Sequence, residues 1–377
     1  MFNRKRLLVT AGLLLTLLLS GQSVTTTASA AVRSGASAPA KTTRIGIAYG
    51  DTLVWMNDAD LNAALDDAVA VHAHWIRADL SWADVQPSSS TEYLWSGFDR
   101  VVAAANARGL NVLPVISYTP AWARDPGCSS FACPPANSAA FAQFASLAAK
   151  RYSAMGVHAW EVWNEENIPI FWPSPDPARY ATLLRATTTA IRQRDPRATV
   201  LLGGMAATDT ANGWIDPRTF LDQVCTYRGC KGLTGIAYHP YTFPFLATDP
   251  VELTSSWNRI DKTPVSLRSV LDAHGFPTLK IWLTEDGAPT GGPGTAYDGT
   301  VTATTDHVTE ARQAEIAQNA VATAAASPNV VALFWYTDKD DPNYTSNVRY
   351  FGLRRDDGSQ KPAFQAFADA AAVVPQP

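Results

Sequence analysis

Short runs of β-branched and aromatic residues alternate along the chain with longer stretches whose apolar residues recur at helical spacing. This alternation is typical of βα units built around a parallel sheet. The runs that predict strands are 44–49, 74–78, 111–117, 158–164, 199–203, 233–239, 279–285 and 330–336. The stretches that predict helices follow them near 59–71, 96–108, 138–153, 177–194, 217–227, 264–274, 308–326 and 361–372. Eight successive strand–helix units predict an α/β protein with a closed (β/α)8 TIM barrel.

The predicted connections differ in length between the two ends of this barrel. Those from helix to strand are short, whereas those from strand to helix are long. The long ones cover 119–137, 166–176, 205–216, 240–263, 286–307 and 337–360. Because all of them leave the C-terminal ends of strands, where barrel proteins place their functional sites, we expect a deep cleft there.

The N-terminus has the pattern of an export signal. Arg4, Lys5 and Arg6 precede an apolar run over 7–19, and a polar stretch then ends in Ala28-Ser29-Ala30. These features predict a signal peptide over 1–30 and a secreted, extracellular protein. A membrane anchor is the alternative, although the apolar run is short for a membrane span. An Ala/Ser/Thr-rich segment, 31–42, is expected to be a flexible leader before a single domain over 43–374.

The four cysteines fall into two close pairs, Cys128/Cys133 and Cys225/Cys230. Two local disulfides suit an exported protein. A zinc site of four thiolates is the competing interpretation, but the spacing lacks the usual CxxC pattern. We therefore expect each pair to form a disulfide that fixes one short loop.

Two carboxylates stand at the ends of predicted strands. Trp163-Asn164-Glu165 ends the fourth strand, and Trp282-Leu283-Thr284-Glu285 ends the seventh. Either residue alone could be a solvated or salt-bridged strand end. Together, in apolar surroundings on fixed strands, Glu165 and Glu285 are the pair that glycoside hydrolysis requires, one protonated and one ionised.

Composition and motifs exclude several other classes of function. The chain has a formal net charge of −4 and no basic run in its predicted mature part, so no nucleic-acid partner is expected. It lacks the G-x-S-x-G, H-E-x-x-H and G-x-x-x-x-G-K motifs. Six histidines leave a metal-dependent hydrolase possible, but most are isolated, and we predict neither a metal nor a cofactor.

The segments Trp160-Glu161-Val162-Trp163-Asn164-Glu165 and Leu283-Thr284-Glu285 resemble the two catalytic strands of clan A glycoside hydrolases, with families 39 and 5 the most similar. The resemblance covers essentially the whole predicted mature chain. It implies a (β/α)8 barrel, Glu165 as general acid/base and Glu285 as nucleophile. A retaining mechanism further predicts that the two carboxyl groups lie about 5–5.5 Å apart.

The same resemblance implies roles for further residues. Asn164 resembles the residue that binds the sugar 2-hydroxyl, and His239 with Tyr241 the pair that contacts the sugar and orients the nucleophile. Arg77 resembles the arginine that keeps the nucleophile ionised, the alternative being a structural ion pair with Asp79 or another carboxylate. Trp335 resembles the aromatic floor beneath the reacting sugar. Aromatic platforms are also expected on the long loops, at Trp122, Trp172 and Trp214.

Two positions depart from the clan pattern. Glu166 follows the acid/base where Pro is usual, and Tyr118 stands where several of these families have His. Glu166 could raise the pKa of the general acid if the two carboxyl groups approach, and Tyr118 is expected to line the substrate site. The sequence thus predicts a secreted retaining glycoside hydrolase acting on an oligo- or polysaccharide. A noncatalytic glycan-binding barrel is the alternative.

Overall fold

Eight parallel strands close into a barrel in the order in which they occur along the chain. The computed structural model describes residues 41–249, 255–300 and 306–377. The strands are β1 Arg44–Ala48, β2 Trp75–Ser81, β3 Asn111–Ser117, β4 Ala159–Asn164, β5 Thr199–Ala206, β6 Gly235–His239, β7 Lys280–Asp286 and β8 Val330–Tyr336. This arrangement confirms the predicted (β/α)8 barrel and all eight predicted strands.

Helices follow the strands and cover the barrel. In the described ranges they are α1 Asp58–Ala70, α2 Trp82–Val85, α3 Ser96–Asn106, α4 Ser138–Ser153, α5 Pro177–Arg192, α6 Pro217–Thr226, α7 Asn258–Asp261, α8 Leu267–Ala273, α9 Glu310–Ala326 and α10 Pro362–Ala372. The sequence pattern did not predict α2 and α7, because one helical turn is too short to show a hydrophobic period.

Helix starts are specified by local sequence. The side chains of Asn137, Asp176 and Asp216 accept hydrogen bonds from backbone N–H groups in the first turns of α4, α5 and α6. Proline follows each of the two aspartates at the first helical position, where its missing N–H has no intrahelical partner to lose. These caps fix the point at which each loop ends and its helix begins.

The core has two parts because side chains alternate across each strand. One set fills the barrel and packs in a compact cluster of Ala48, Leu113, Ala159, Leu201, Trp282, Ala332 and Phe334. The other set points outward and packs against the helices, as Ile45, Ile76, Val162 and Trp335 do. Toward the C-terminal end of the barrel, polar side chains replace the apolar ones on the inner face.

Both predicted disulfides are present. The Cys128–Cys133 and Cys225–Cys230 pairs have Cα–Cα distances of 6.0 Å and 4.8 Å. This pairing contradicts the zinc alternative, because the cysteines form two separate bonds. Each bond closes a loop of about six residues, so it restrains that loop more than it joins distant parts of the fold.

The predicted signal peptide over 1–30 and nearly all of the predicted leader over 31–42 lie outside the described residues. In the described part of the chain, no helix is both long enough and apolar enough to cross a bilayer.

Candidate active site

A cavity of about 760 Å³ opens at the C-terminal end of the barrel. Its lining includes Glu165 and Glu285, together with Tyr118, Asn164 and Tyr241. Its volume falls within the usual range for ligand sites. The barrel therefore brings both predicted carboxylates, which are 120 residues apart, to one cavity.

The end of β4 turns Asn164 and Glu165 toward this cavity. Trp163 and Glu165 both have left-handed backbones, with φ of 75° and 45°. Non-glycine residues rarely adopt this conformation, which interrupts the alternation of side chains along the strand. Trp163 accordingly packs outward against Phe141 and Trp172. Asn164 and Glu165 can then both line the cavity, although they are adjacent in sequence.

The end of β7 is shaped by a bulge. Leu283 pairs with Leu333 and Asp286 with Trp335, so β7 contains one more residue than β8 over this stretch. A bulge of this kind re-aims a side chain. Here it places Thr284 in the barrel interior, against Glu161, and leaves Glu285 lining the cavity.

Three groups act on the Glu285 carboxylate. Arg77 Nη1 lies 2.5 Å from Oε1, and the Tyr241 hydroxyl donates to Oε2 at 2.8 Å. His239 Nδ1 lies 3.7 Å from Oε2. Burial alone would raise the pKa of Glu285, but the charges of His239 and Arg77 and the two hydrogen bonds hold that pKa below its ordinary value. Glu285 is therefore kept ionised.

Arg77 is held in place by a second carboxylate, Glu161. The guanidinium donates to both Glu161 oxygens, from Nε at 3.0 Å and from Nη2 at 2.9 Å, and Nη2 also donates to Asn164 Oδ1 at 2.7 Å. Both expectations for Arg77 are thus met in part, since it contacts the predicted nucleophile and also forms a buried structural ion pair. The structural partner is Glu161 and not Asp79.

Sequence reasoning missed the role of Glu161, although a signal was present. Glu161 is flanked by Trp160 and Val162 in the middle of a strand, and an acid in that position is buried and requires a partner. The carboxylate also accepts a hydrogen bond from the Gly204 backbone N–H at 2.9 Å.

His239 lies beneath the two carboxylates and is fully buried. Its Nδ1 is 2.9 Å from Glu165 Oε1, and its Nε2 is 3.1 Å from the Thr284 hydroxyl. Burial lowers the pKa of His239, but the neighbouring Glu285 and Glu165 outweigh burial and raise it. The position contradicts a direct sugar contact, because the ring does not line the cavity. It fits a role in orienting Glu165.

Glu165, His239 and Glu285 also present a possible set of metal ligands. One ligand atom from each residue lies within 4.8 Å of the others. The same geometry brings an oxygen of Glu165 within 4.8 Å of an oxygen of Glu285. Arg77 already supplies a positive charge to Glu285, so the carboxylate has a cationic partner within the protein.

Glu166 does not approach the cavity as the sequence suggested it could. Its side chain is fully buried, and a Cβ built on Gly203 of β5 would lie 2.5 Å from its Oε2. Burial raises the pKa of Glu166 to about 8, so the group is largely protonated at neutral pH. It therefore adds little negative charge beside Glu165.

None of the four tryptophans that were predicted to contact the sugar lines the cavity. Trp335 is fully buried, donates to the Phe351 carbonyl and packs on Phe367 of α10. Its position on β8 points it outward, and its neighbour Tyr336 lines the cavity. Trp172 is buried behind Trp163.

Trp122 is 39% exposed, but it donates to the Gln86 carbonyl and packs edge-on against Trp82, outside the cavity lining. Trp214, the remaining tryptophan predicted as a platform, is also absent from that lining. The aromatic side chains that do line the cavity beside Tyr118 and Tyr241 are Trp55, Phe131, Phe171, Phe243, Tyr336, Tyr344 and Phe351.

The cavity lining also contains three aspartates that the sequence analysis did not place there, Asp51, Asp79 and Asp84. Asp79 follows Arg77 by two residues on β2, so both face the barrel interior. Burial raises the pKa of Asp79 to about 7, although Arg77 opposes the shift. The strand period could have identified this residue, since Arg77, Asp79 and Ser81 alternate with apolar neighbours.

Comparison with known proteins shows similarity to glycoside hydrolases. Residues 35–258 match the family model described as cellulase (glycosyl hydrolase family 5). A β-xylosidase from Geobacillus stearothermophilus is 27% identical over 146 residues, which are 36% of this chain and 27% of the xylosidase.

Two solved structures share the fold. A family 39 glycoside hydrolase from Bacteroides cellulosilyticus WH2 is similar with a TM-score of 0.67 and 22% identity, over 88% of this chain and 64% of that one. A subfamily GH5_18 structure from Streptomyces cattleya, in complex with GlcNAc, has a TM-score of 0.64 and 19% identity, over 90% and 82% of the two chains. The chain spans about a quarter of the length of the β-xylosidase and less than two thirds of the length of the family 39 structure. With more than half of its own length matched by the family model, the chain belongs to the cellulase family, glycosyl hydrolase family 5 of clan A.

Proposed function

We propose that this chain is a secreted retaining glycoside hydrolase that cleaves O-glycosidic bonds of an oligo- or polysaccharide by double displacement. Glu285 is the nucleophile and Glu165 the general acid/base. The observation that carries the proposal is the contrast between the two carboxylates that share the cavity. The Glu285 carboxylate is hydrogen-bonded by a guanidinium and a tyrosine hydroxyl, whereas among the described side chains the Glu165 carboxylate has a hydrogen bond only with His239.

In the first step, Glu285 attacks the anomeric carbon while Glu165 gives its proton to the departing oxygen. The bond from the sugar to the leaving group breaks as the bond to Glu285 forms. In the second step, Glu165 takes a proton from water, and that water displaces Glu285 with restoration of the original configuration. The approach of the two carboxylates to within 4.8 Å supports this mechanism, because inverting enzymes keep theirs about 6.5–9.5 Å apart.

The neighbouring residues serve these two steps. Arg77 and Tyr241 keep Glu285 ionised and fix the direction of its oxygens. His239 orients Glu165. Asn164 lines the same cavity, and its amide N–H₂ is available to the sugar because its Oδ1 accepts from Arg77. Tyr118 and Tyr336 line the cavity and can contact the sugar.

The domain boundaries and the location of the protein are part of the proposal. A signal peptide over 1–30 and a leader over 31–42 would precede a catalytic domain over 43–374. Two disulfides suit an oxidising compartment. The partner is a carbohydrate substrate, and the chemistry assigned to the described residues requires no cofactor.

The proposal is tested by the products of hydrolysis. The purified protein is screened on aryl glycosides and polysaccharides, and the reaction on an active substrate is followed by proton NMR from its first minutes. The expected first product has the same anomeric configuration as the substrate. An inverted first product would contradict double displacement. Binding without hydrolysis across the panel would instead support a noncatalytic glycan-binding barrel.

A further inference from the structure

A second cavity adjoins the first, beside the ends of β1 and β8. Its volume is about 620 Å³. Five side chains line both cavities: Asp51, Trp55, Tyr336, Tyr344 and Val348. A glycan chain held at Glu285 would therefore meet the second cavity as it extends across this shared boundary.

Trp55 is the most unusual side chain on that boundary. It is 69% exposed, and among the described residues its indole has no hydrogen bond and no ring contact. Most large aromatic side chains are buried, because their contact with water is unfavourable. An exposed indole at the rim of a binding cavity is available to stack on the C–H face of a sugar.

The backbone on either side of Trp55 is fixed. The Trp55 N–H donates to the Thr52 carbonyl at 3.1 Å. Arg100 Nη2 donates to the Val54 carbonyl at 3.2 Å and to the Met56 carbonyl at 2.5 Å. The loop thus presents the ring from a defined position, which limits the entropy lost when a ligand binds.

The charge of the second cavity restricts the kind of glycan. Its lining contains six aspartates and a single basic residue, Lys339. Two of the aspartates have cationic partners, since Asp67 pairs with Arg354 and Asp340 with Lys361. The others are Asp51, Asp60 and Asp341, together with Asp338, whose pKa burial raises to about 7. Carboxylates accept hydrogen bonds from sugar hydroxyls but repel acidic groups.

We propose that the second cavity is a further subsite for the same glycan chain, with Trp55 as its stacking platform, and that this glycan carries no acidic groups. The inference rests on the proposed function and deepens it. It means that the enzyme recognises several sugar units, so its efficiency depends on the length of the substrate.

The experiment compares the wild type with Trp55→Ala and Trp55→Phe on neutral oligosaccharides of two to six units. In the wild type, kcat/KM is expected to rise with chain length. Trp55→Ala should lower kcat/KM on the longest substrate about tenfold and remove much of the increase with chain length. Trp55→Phe should keep most of that increase, because an aromatic ring remains. Tyr227→Ala removes an exposed ring at the C-terminal end of α6, outside both cavities, and should keep the length dependence of the wild type.

The same length dependence in the wild type and Trp55→Ala would overturn this inference while leaving the proposed function in place. If the wild type hydrolyses no glycoside, the proposed function fails, and binding of the same oligosaccharides is measured by calorimetry. Equal binding by the wild type and Trp55→Ala would then overturn the subsite, and weaker binding by Trp55→Ala would support it.

The predicted effect of the aspartates in the second cavity is tested by measuring the binding of two ligands. One is a neutral hexose oligosaccharide, and the other is the same oligosaccharide with its primary hydroxyl groups oxidised to carboxylates. The acidic form should bind less tightly, and the double variant Asp51→Asn/Asp341→Asn should reduce the difference. Equal or tighter binding of the acidic form at low ionic strength would overturn the restriction to glycans without acidic groups.

Discussion

The contacts of Glu285 determine whether this buried carboxylate is ionised. The hydroxyl of Tyr241 donates to Oε2 at 2.8 Å, and Arg77 contacts Oε1. Each contact favours the charged form against the opposing effect of burial. Because the folded-state pKa of Glu285 is lowered, its ionised form persists to a pH below the ordinary titration range of a glutamate.

Tyr241→Phe tests this balance. Loss of the hydroxyl removes one hydrogen bond to a charged group, so the pKa of Glu285 should rise and the acid limb of kcat/KM should move to higher pH. A bond of this kind contributes about 1.5–3 kcal/mol, so activity at neutral pH should fall by roughly ten- to a hundredfold. Tyr227→Phe, at an exposed tyrosine outside the cavity, should change neither the pH of the acid limb nor the activity at neutral pH. An acid limb at the pH of the wild type would contradict the role of Tyr241.

Individual residues were predictable to different degrees. Glu165 and Glu285 could be singled out as candidates that share one cavity, because each stands in a short motif at the end of a strand. The direction of Trp335 could not be predicted, because successive side chains along β8 alternate between α10 and the cavity. A shift of one residue therefore reverses the assignment. Trp55 lies in the short turn after β1, where no sequence period indicates the direction of a side chain.

At the scale of elements, irregular strand ends create the site. A bulge also occurs in β5, where the register shifts between Leu202 and Met205, at Gly203 and Gly204. The Gly204 carbonyl accepts from the Glu165 N–H at 2.9 Å, and its own N–H donates to Glu161. A Cβ built on Gly204 would lie 2.0 Å from His239 Nε2. The absence of a side chain there allows β5, the predicted acid/base and the histidine to approach one another.

Gly204→Ala should therefore be damaging. Overpacking of a buried site costs about 1–3 kcal/mol, and displacement of His239 and Glu165 should lower activity by about a hundredfold. Urea denaturation and kcat/KM measure the two effects. Gly97→Ala in α3 is the matched control, since its nearest neighbours lie 3.8 Å away, and it should raise stability by up to about 1 kcal/mol. Wild-type stability and activity in Gly204→Ala would show that the close approach is not required.

Strands and long helices could be predicted from the sequence because their hydrophobic periods extend over several residues. The bulges in β5 and β7 could not, since a bulge is defined by the register with a neighbouring strand. The left-handed backbone at Trp163 and Glu165 was equally invisible, because neither residue type favours that conformation.

At the scale of the whole molecule, the barrel brings together groups that are far apart in sequence. Arg77 from β2, Glu161 from β4 and Glu285 from β7 form one connected network. The sequence predicted the barrel and its functional end from the order of elements and the length of the loops. The shape of the cleft depends on how these loops pack, and so the two adjoining cavities were not predictable.

The central claim is that Glu165 and Glu285 have different roles in one retaining mechanism, and rescue by azide tests it most directly. Glu165→Ala and Glu285→Ala are assayed on an activated aryl glycoside and on an unactivated substrate, with and without azide. Glu166→Gln, beside the acid/base but outside the cavity, is the matched control and should not respond to azide.

Glu285→Ala should lose nearly all activity on both substrates, because no glycosyl-enzyme can form. In Glu165→Ala, activity on the unactivated substrate should fall by about 10²–10⁴-fold, and activity on the activated substrate should fall much less. Azide should then accelerate the activated reaction and give a glycosyl azide of retained configuration. Equal losses on both substrates in Glu165→Ala, with no effect of azide, would contradict the assignment.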